Sequence, residues 1–331
     1  MINGLTPAEI AIEGGITPLS NDHAEELLIV SASFEPRCRF SVESLSNSFR
    51  CAAALVYVNH EFLDGPPGNK TRQNLYKLVE MLGRHTEHVC VLEGSWLSPQ
   101  DQLSAIRNGL TCSLLADFDG PISLDCTAFT RESLLVLVSL LQTIWPQTDV
   151  RLFYASPEDH GEWLSRGFRC VRNIAGLGGF PRANRPTTLV VLSGFEPFRT
   201  QKLIEEHEPV RVLLGVGDPP TSKQFYNRNM VEQELVLARQ DVEEFRFPVG
   251  GVYESFDCMK ELIAKFSETN IVVAPMSTKF STIATYLLTN DFPDLQVTYC
   301  VPGEYNVQGY SMGVGKLYED RLRAIDEPHS H

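Results

Sequence analysis

No glycine-rich phosphate loop joins a strand to a helix in this chain, and no Cys-x-x-Cys pair occurs in it. The cluster Gly176-Leu177-Gly178-Gly179 falls in a linker-like stretch, so a dinucleotide cofactor is disfavoured and no cofactor is expected. No His-Glu-x-x-His element is present, which removes the commonest zinc-peptidase signature. Apolar runs fall well short of membrane-spanning length and the first residues are mixed and acidic, so neither a spanning helix nor a secretory leader is expected.

Positive charge is also scarce. Lys and Arg number 28 against 42 Asp and Glu, a formal net charge of −14. Such a field repels phosphate backbones, so bulk nucleic-acid binding is not expected, while a small anion held by a few well-placed cations is compatible with it. The eight cysteines show no metal-ligand spacing. Cys90, Cys126 and Cys300 sit in apolar runs, where a thiol acts as a small hydrophobe. The set suggests a reducing, cytoplasmic compartment.

What is present is a regular alternation. Short apolar runs of strand type occupy residues 27–31, 53–58, 89–92, 122–126 and 150–154, then 188–192, 210–215, 242–247, 270–274 and 295–300. Amphipathic stretches of helical type separate them. Strands apolar on both faces, alternating with helices, predict α/β architecture with parallel sheets flanked by helices.

The two halves also agree at the ends of their strands. Ser33-Phe34-Glu35-Pro36-Arg37 after the first strand is answered by Gly194-Phe195-Glu196-Pro197-Phe198-Arg199. Asp64-Gly65-Pro66-Pro67, then Lys70 and Asn74, is answered by Asp218-Pro219-Pro220, then Lys223 and Asn227. The fourth strand runs into Asp125-Cys126-Thr127-Ala128-Phe129-Thr130-Arg131 in one half and Ala274-Pro275-Met276-Ser277-Thr278-Lys279 in the other. The fifth gives Tyr154-Ala155-Ser156-Pro157-Glu158 against Tyr299-Cys300-Val301-Pro302-Gly303-Glu304. This ordered agreement predicts two tandem Rossmann-like units related by pseudo-two-fold duplication. The expected division is 1–172 with a core from about 24, a linker at 173–187, and 188–331 ending in a disordered tail. Residues beyond about 317 read as an appendage.

In open parallel sheets, ligands bind beyond the carboxyl ends of the strands, where strand order reverses. The repeated polar residues all fall at such ends. Glu35 and Glu196 are candidates either for ribose or base contacts or for pairing with Arg37 and Arg199, which are otherwise phosphate candidates. Thr130 with Arg131, and Ser277 and Thr278 with Lys279, combine hydroxyls, a cation and helix N–H groups in an anion-binding arrangement; the same hydroxyls serve equally as helix caps. Lys70, Arg72, Asn74, Lys223, Asn227 and Arg228 are candidates for a lid over a strand-end pocket or for solvated surface. No metal site is expected, and no catalytic residue is singled out.

The stretch Asp125-x-Thr127-x-x-Thr130-Arg131 resembles the strand-to-helix motif of CRISPR-associated Rossmann-fold (CARF) domains, which bind cyclic oligoadenylates. Related SAVED domains carry two such units in one chain. The resemblance implies a nucleotide-sensing module, such as one of a prokaryotic defence system, with a cyclic or linear oligonucleotide held across the two halves. It implies ligand contacts at Thr127, Thr130, Arg131, Ser277, Thr278 and Lys279, with Asp125 in the motif. Two other readings stay open: a TIR-like or deoxyribosyltransferase-like N-glycosidic hydrolase using Glu35 or Glu196, and a non-catalytic scaffold docking on an ATPase or nuclease partner.

Overall fold

The computed structural model of the chain describes residues 9–10, 25–218 and 223–325. Pro219, Pro220, the side chain of Lys223, most of the N-terminal appendage and the expected tail lie outside the described residues. All ten strands expected from the apolar runs are present. The chain divides into two compact units, each described here by itself.

The first unit holds β1 (Glu9–Ile10), β2 (Leu27–Ala32), β3 (Ala53–Asn59), β4 (Val89–Gly94), β5 (Ile122–Asp125) and β6 (Val150–Ala155). Between them run α1 (Phe40–Glu43), α2 (Gly65–Leu82), α3 (Pro99–Leu110) and α4 (Arg131–Ile144). The parallel strands lie in the order β4-β3-β2-β5-β6, the half-Rossmann order that reverses between β2 and β5. β2 and β3 are buried at every residue, as central strands covered on both faces must be. Each Leu, Ile or Val so buried contributes about 1.5–3 kcal/mol. β4, at the sheet's edge, is only partly buried.

The next strand, β7 (Ser165–Asn173), does not join this sheet. It belongs to the second unit with β8 (Thr187–Leu192), β9 (Arg211–Gly217), β10 (Val242–Phe247), β11 (Asn270–Pro275) and β12 (Gln296–Tyr305). The helices here are α5 (Pro197–His207), α6 (Lys223–Glu232), α7 (Glu234–Leu237), α8 (Val252–Ile263) and α9 (Lys279–Asp291). The order β10-β9-β8-β11-β12 repeats that of the first unit, and β7 lies antiparallel outside β12.

The last strand, β13 (Leu317–Leu322), then pairs antiparallel with β6 of the first unit, and β1 pairs antiparallel with β13. The strand that follows each unit's fifth parallel strand is therefore built into the other unit's sheet. A simple hairpin would have laid β7 on β6 and β13 on β12. The segment 173–187 consequently lies inside the second unit, joining β7 to β8, and residues 317–322 are sheet rather than appendage.

The units are Gly161–Tyr310 and Met1–His160 with Ser311–His331, so the second is inserted whole into the first. Its two ends meet: Gly161 N donates to Gly309 O at 2.8 Å. A Cβ on Gly161 would stand 2.2 Å from Gly309 O, so the approach needs glycine there.

Candidate functional site

At the switch point of the first unit, Glu35 and Arg37 follow β2 through a short helical turn opened by Pro36. Arg37 donates from Nε and Nη2 to Glu35 Oε2 at 3.2 and 2.5 Å, and from Nη1 to the Ala155 carbonyl at the end of β6 at 2.5 Å. Ser311 Oγ donates to the same Glu35 oxygen at 2.7 Å. From α2, Asn74 Nδ2 donates to Ser33 O at 2.8 Å and Glu35 O at 3.4 Å. The two charged side chains are 4% and 9% exposed.

The second unit builds the same device. Arg199 Nη1 lies 2.9 Å from Glu196 Oε2, with the side chains 2% and 9% exposed. Arg199 Nε and Nη2 donate to the Cys300 carbonyl on β12 at 3.0 and 2.5 Å. Ser165 Oγ donates to Glu196, as Ser311 does to Glu35. Asn229 Nδ2 donates to Ser193 O at 3.1 Å. Burial opposes the charge on Arg199, but the Glu196 carboxylate together with Tyr299, Cys300 and Tyr305 outweighs it, and the guanidinium pKa is raised well above its ordinary value.

Each glutamate–arginine pair thus ties the end of the first parallel strand to the backbone of the fifth. Each takes its serine from the segment that begins just after the chain has crossed between units. Four of the expected contact residues, Glu35, Arg37, Glu196 and Arg199, are engaged in this clamp. The counterpart of Asn74 is Asn229, not Asn227, which is exposed on α6.

Asp125 and Thr127 are also interior. Ser41 Oγ donates to Asp125 Oδ2, Thr127 N donates to Asp125 Oδ1 at 2.8 Å, and Thr127 Oγ1 accepts from Ala155 N at 2.9 Å. Burial raises the Asp125 pKa, while the Ser41 and Thr127 hydrogen bonds and Arg37 pull it down. Cys38, beside this cluster, has its thiol pushed up to about 12 by burial, which keeps it protonated and unreactive.

The remaining candidates stand at two helix starts. Thr130 Oγ1 accepts from Ser133 N at 3.1 Å and caps α4; Thr278 Oγ1 accepts from Ser281 N at 3.3 Å and caps α9. Arg131, Ser277 and Lys279 are half-buried beside these caps. With the caps superposed in sequence, Lys279 stands opposite Arg131, Ser277 opposite buried Phe129, and Thr127 opposite Pro275.

The lid candidates divide. Arg72 pairs with Asp64 at 2.9 Å on the surface, and Lys70 is half-buried on the same helix. Asn74 is buried in the clamp. Arg228 donates to the carbonyls of Gly161 and Glu162 at 2.8 and 2.9 Å and lies 4.7 Å from the Phe195 ring. Tyr305 and Tyr310 pack on each other at 5.8 Å, and Asn306 donates to Trp163 O at 2.8 Å, which makes them packing groups of the second unit.

The strand ends of the two units differ in filling. Phe34 packs on Phe62 at 5.3 Å and Phe62 on Trp96 at 6.1 Å, all three buried beyond β2, β3 and β4. In the second unit Phe195 and Phe225 lie 6.0 Å apart and are only half-buried. Sequence reasoning missed Ser41, Ser165 and Ser311: single serines at the start of α1 and of β7 carry no periodic signal, and Ser311, within Gly309-Tyr310-Ser311-Met312-Gly313, lies in a loop and not at a strand-to-helix turn. Among the described residues, no His, Cys, Asp or Glu cluster fit for a metal is present, and no helix is long and apolar enough to cross a membrane.

No family model matches the chain, and neither does any curated protein. Solved structures similar to it include a periplasmic ribose ABC transporter from Conexibacter woesei DSM 14684, at 9% identity over 85% of this chain and 72% of that one, with a TM-score of 0.25. Another is UDP-GlcNAc 2-epimerase from Neisseria meningitidis bound to UDP-GlcNAc, at 9% identity over 81% of this chain and 92% of that one, with a TM-score of 0.25. Likenesses of this size carry no argument about function.

Proposed function

We propose that the protein is a nucleotide-binding module whose contact groups are the starts of α4 and α9. Glu35, Arg37, Asp125, Thr127, Glu196 and Arg199 act in this reading as the frame behind those groups. One observation carries it: in both units a threonine-capped helix opens with a half-buried cation at the place where strand order reverses. Helix N–H groups, a hydroxyl and a cation at one spot are suited to a phosphate. The additional hydroxyl of Ser277, where the first unit has buried Phe129, and the less completely filled strand ends make the second unit the stronger binder.

The glycosidase alternative draws less support. It needs Glu35 or Glu196 to face a nucleoside, and both carboxylates are buried against arginine and serine.

Thermal shift against mononucleotides, NAD, and linear and cyclic oligoadenylates tests the proposal. A ligand at 100 times its Kd stabilises by about 2.7 kcal/mol. The shift is expected to vanish in Lys279→Ala and to shrink in Arg131→Ala. A shift equal in wild type and the double variant refutes the assignment.

A further inference from the structure

Of the eight cysteines, Cys90, Cys112, Cys170 and Cys258 are half-buried and the other four are buried. Two of the half-buried thiols share one strand–helix unit at the margin of the first sheet. Cys90 lies on β4, the last strand of that sheet among the described residues, and Cys112 follows the end of α3.

The fold sets the two side by side. Successive side chains of a strand point to opposite faces of its sheet. Val89 packs with Leu78 and Leu82 of α2 on one face, which turns Cys90 and Leu92 to the other. α3 covers that other face: a Cβ on Gly109 would collide with the Leu92 side chain. α3 follows β4 through a short turn and runs back along it, so the chain beyond Gly109 heads for the start of β4. Cys90 precedes Leu92 by one repeat of the strand, and Cys112 follows Gly109 by about one helical turn, so both steps lead the same way. The electrostatics agree. Burial raises the pKa of the Cys90 thiol, and negative charge on Cys112 raises it further, as a neighbouring sulfur does.

The matching unit of the second sheet offers a contrast. β10 and α8 hold one cysteine, Cys258, whose Sγ donates to the Arg246 carbonyl at 3.6 Å, and no second thiol stands on β10. A metal explains the Cys90–Cys112 pair less well. Structural zinc takes four ligands, and the described residues hold no cluster of His, Cys, Asp and Glu fit for one.

We propose that Cys90 and Cys112 are a reversible redox pair, closed to a disulfide by a low-molecular-weight disulfide of the glutathione class. One thiol loses its proton to water and attacks a sulfur of the small disulfide, whose S–S bond breaks and releases one thiolate. The second thiol, likewise deprotonated, attacks the protein sulfur of the mixed disulfide and expels the other small thiolate; both released thiolates take up a proton. Two protein thiols are oxidised, and one small disulfide is reduced to two thiols. The bond closes residues 90–112 into a loop that contains most of β4 and all of α3, and so latches this helix to the marginal strand.

The test incubates the full chain with oxidised glutathione and reads its mass without reduction, before and after trypsin. The expected product is lighter than the starting protein by two hydrogen atoms. Its tryptic peptides 85–107 and 108–131 should be joined, with fragmentation placing the bond at Cys112 rather than Cys126, and dithiothreitol should separate them. The link should be lost in Cys90→Ser and in Cys112→Ser. Hydrogen exchange at the β4 and α3 amides should slow in the oxidised wild type and stay unchanged in Cys112→Ser treated alike. Cys258 should gain a glutathione adduct at most. Adducts on Cys90 or Cys112 without a link would show that the sulfurs do not meet and overturn the pair. A bond to Cys126, a link between two chains, or thiols that stay unreacted would overturn it equally. A closed bond that leaves exchange in β4 and α3 unaltered would overturn the latch. None of these readouts depends on nucleotide binding at α4 or α9.

Discussion

The two switch points share one device and differ in another. Both have the glutamate–arginine–serine clamp, with an asparagine from the following helix. Only the first adds a buried carboxylate: counting back equally from Thr130 and Thr278 sets Asp125 opposite Val273, and counting forward equally from Arg37 and Arg199 sets Ser41 opposite Leu203. The second unit therefore builds the same strand order with valine, leucine and proline where the first spends a polar network. The clamp belongs to the architecture; the Asp125 network is an addition the fold does without.

The comparison breaks most severely at the arginines. Arg199→Ala leaves Glu196 buried without its counter-charge and strips Cys300 O of its donors, an expected loss of about 3–5 kcal/mol in urea denaturation. Arg37→Ala should cost at least as much, because Asp125 loses a favourable neighbour as well. A loss below about 1 kcal/mol in either would show the pair to be ornamental. Ser165→Ala and Ser311→Ala each remove a hydrogen bond to a charged group, worth about 1.5–3 kcal/mol, and similar values in the two units would confirm the equivalence of the exchanged serines.

Smaller effects sharpen the contrast. Thr130→Ala and Thr278→Ala should each cost about 1 kcal/mol as lost caps, read by thermal melting without ligand. Asp125→Asn should change stability least at neutral pH, within about 1 kcal/mol, since an amide keeps the Thr127 N–H bond. Its signature lies in pH dependence. Burial raises the folded-state pKa of Asp125, so its stabilising contribution is present below the ordinary carboxylate value of about 3.9 and fades as pH rises through the higher folded-state value. The amide variant should lack that decline. A wild-type profile flat across the same window, or one as steep in the variant, would contradict the assignment.

Much of this was legible in the sequence. The ten parallel strands announce themselves as apolar runs because both of their faces are covered. The glutamates and arginines could be paired between halves by position, yet Phe-Glu-Pro-Arg reads equally well as a solvated turn, so their burial was hidden. The exchanged strands were not legible for a different reason. Ser-Arg-Gly-Phe-Arg-Cys-Val-Arg-Asn and Leu-Tyr-Glu-Asp-Arg-Leu lie at sheet margins, carry little apolar signal, and pair with chain far away in sequence. The Asn227 position illustrates the same limit at the scale of half a turn. Sequence spacing matched it to Asn74, whereas the helix presents Asn229 to the Ser193 carbonyl.

The insertion of one unit within the other imposes an order of events during synthesis. Every strand of the second unit is synthesised before β13, whereas β6 of the first must wait for β13 with its outer edge unpaired. An exposed edge on a nascent chain is a point of aggregation and of chaperone engagement. The second unit is thus placed to fold first, and its closing Gly161–Gly309 contact delivers Ser311 and β13 back to the strand that awaits them.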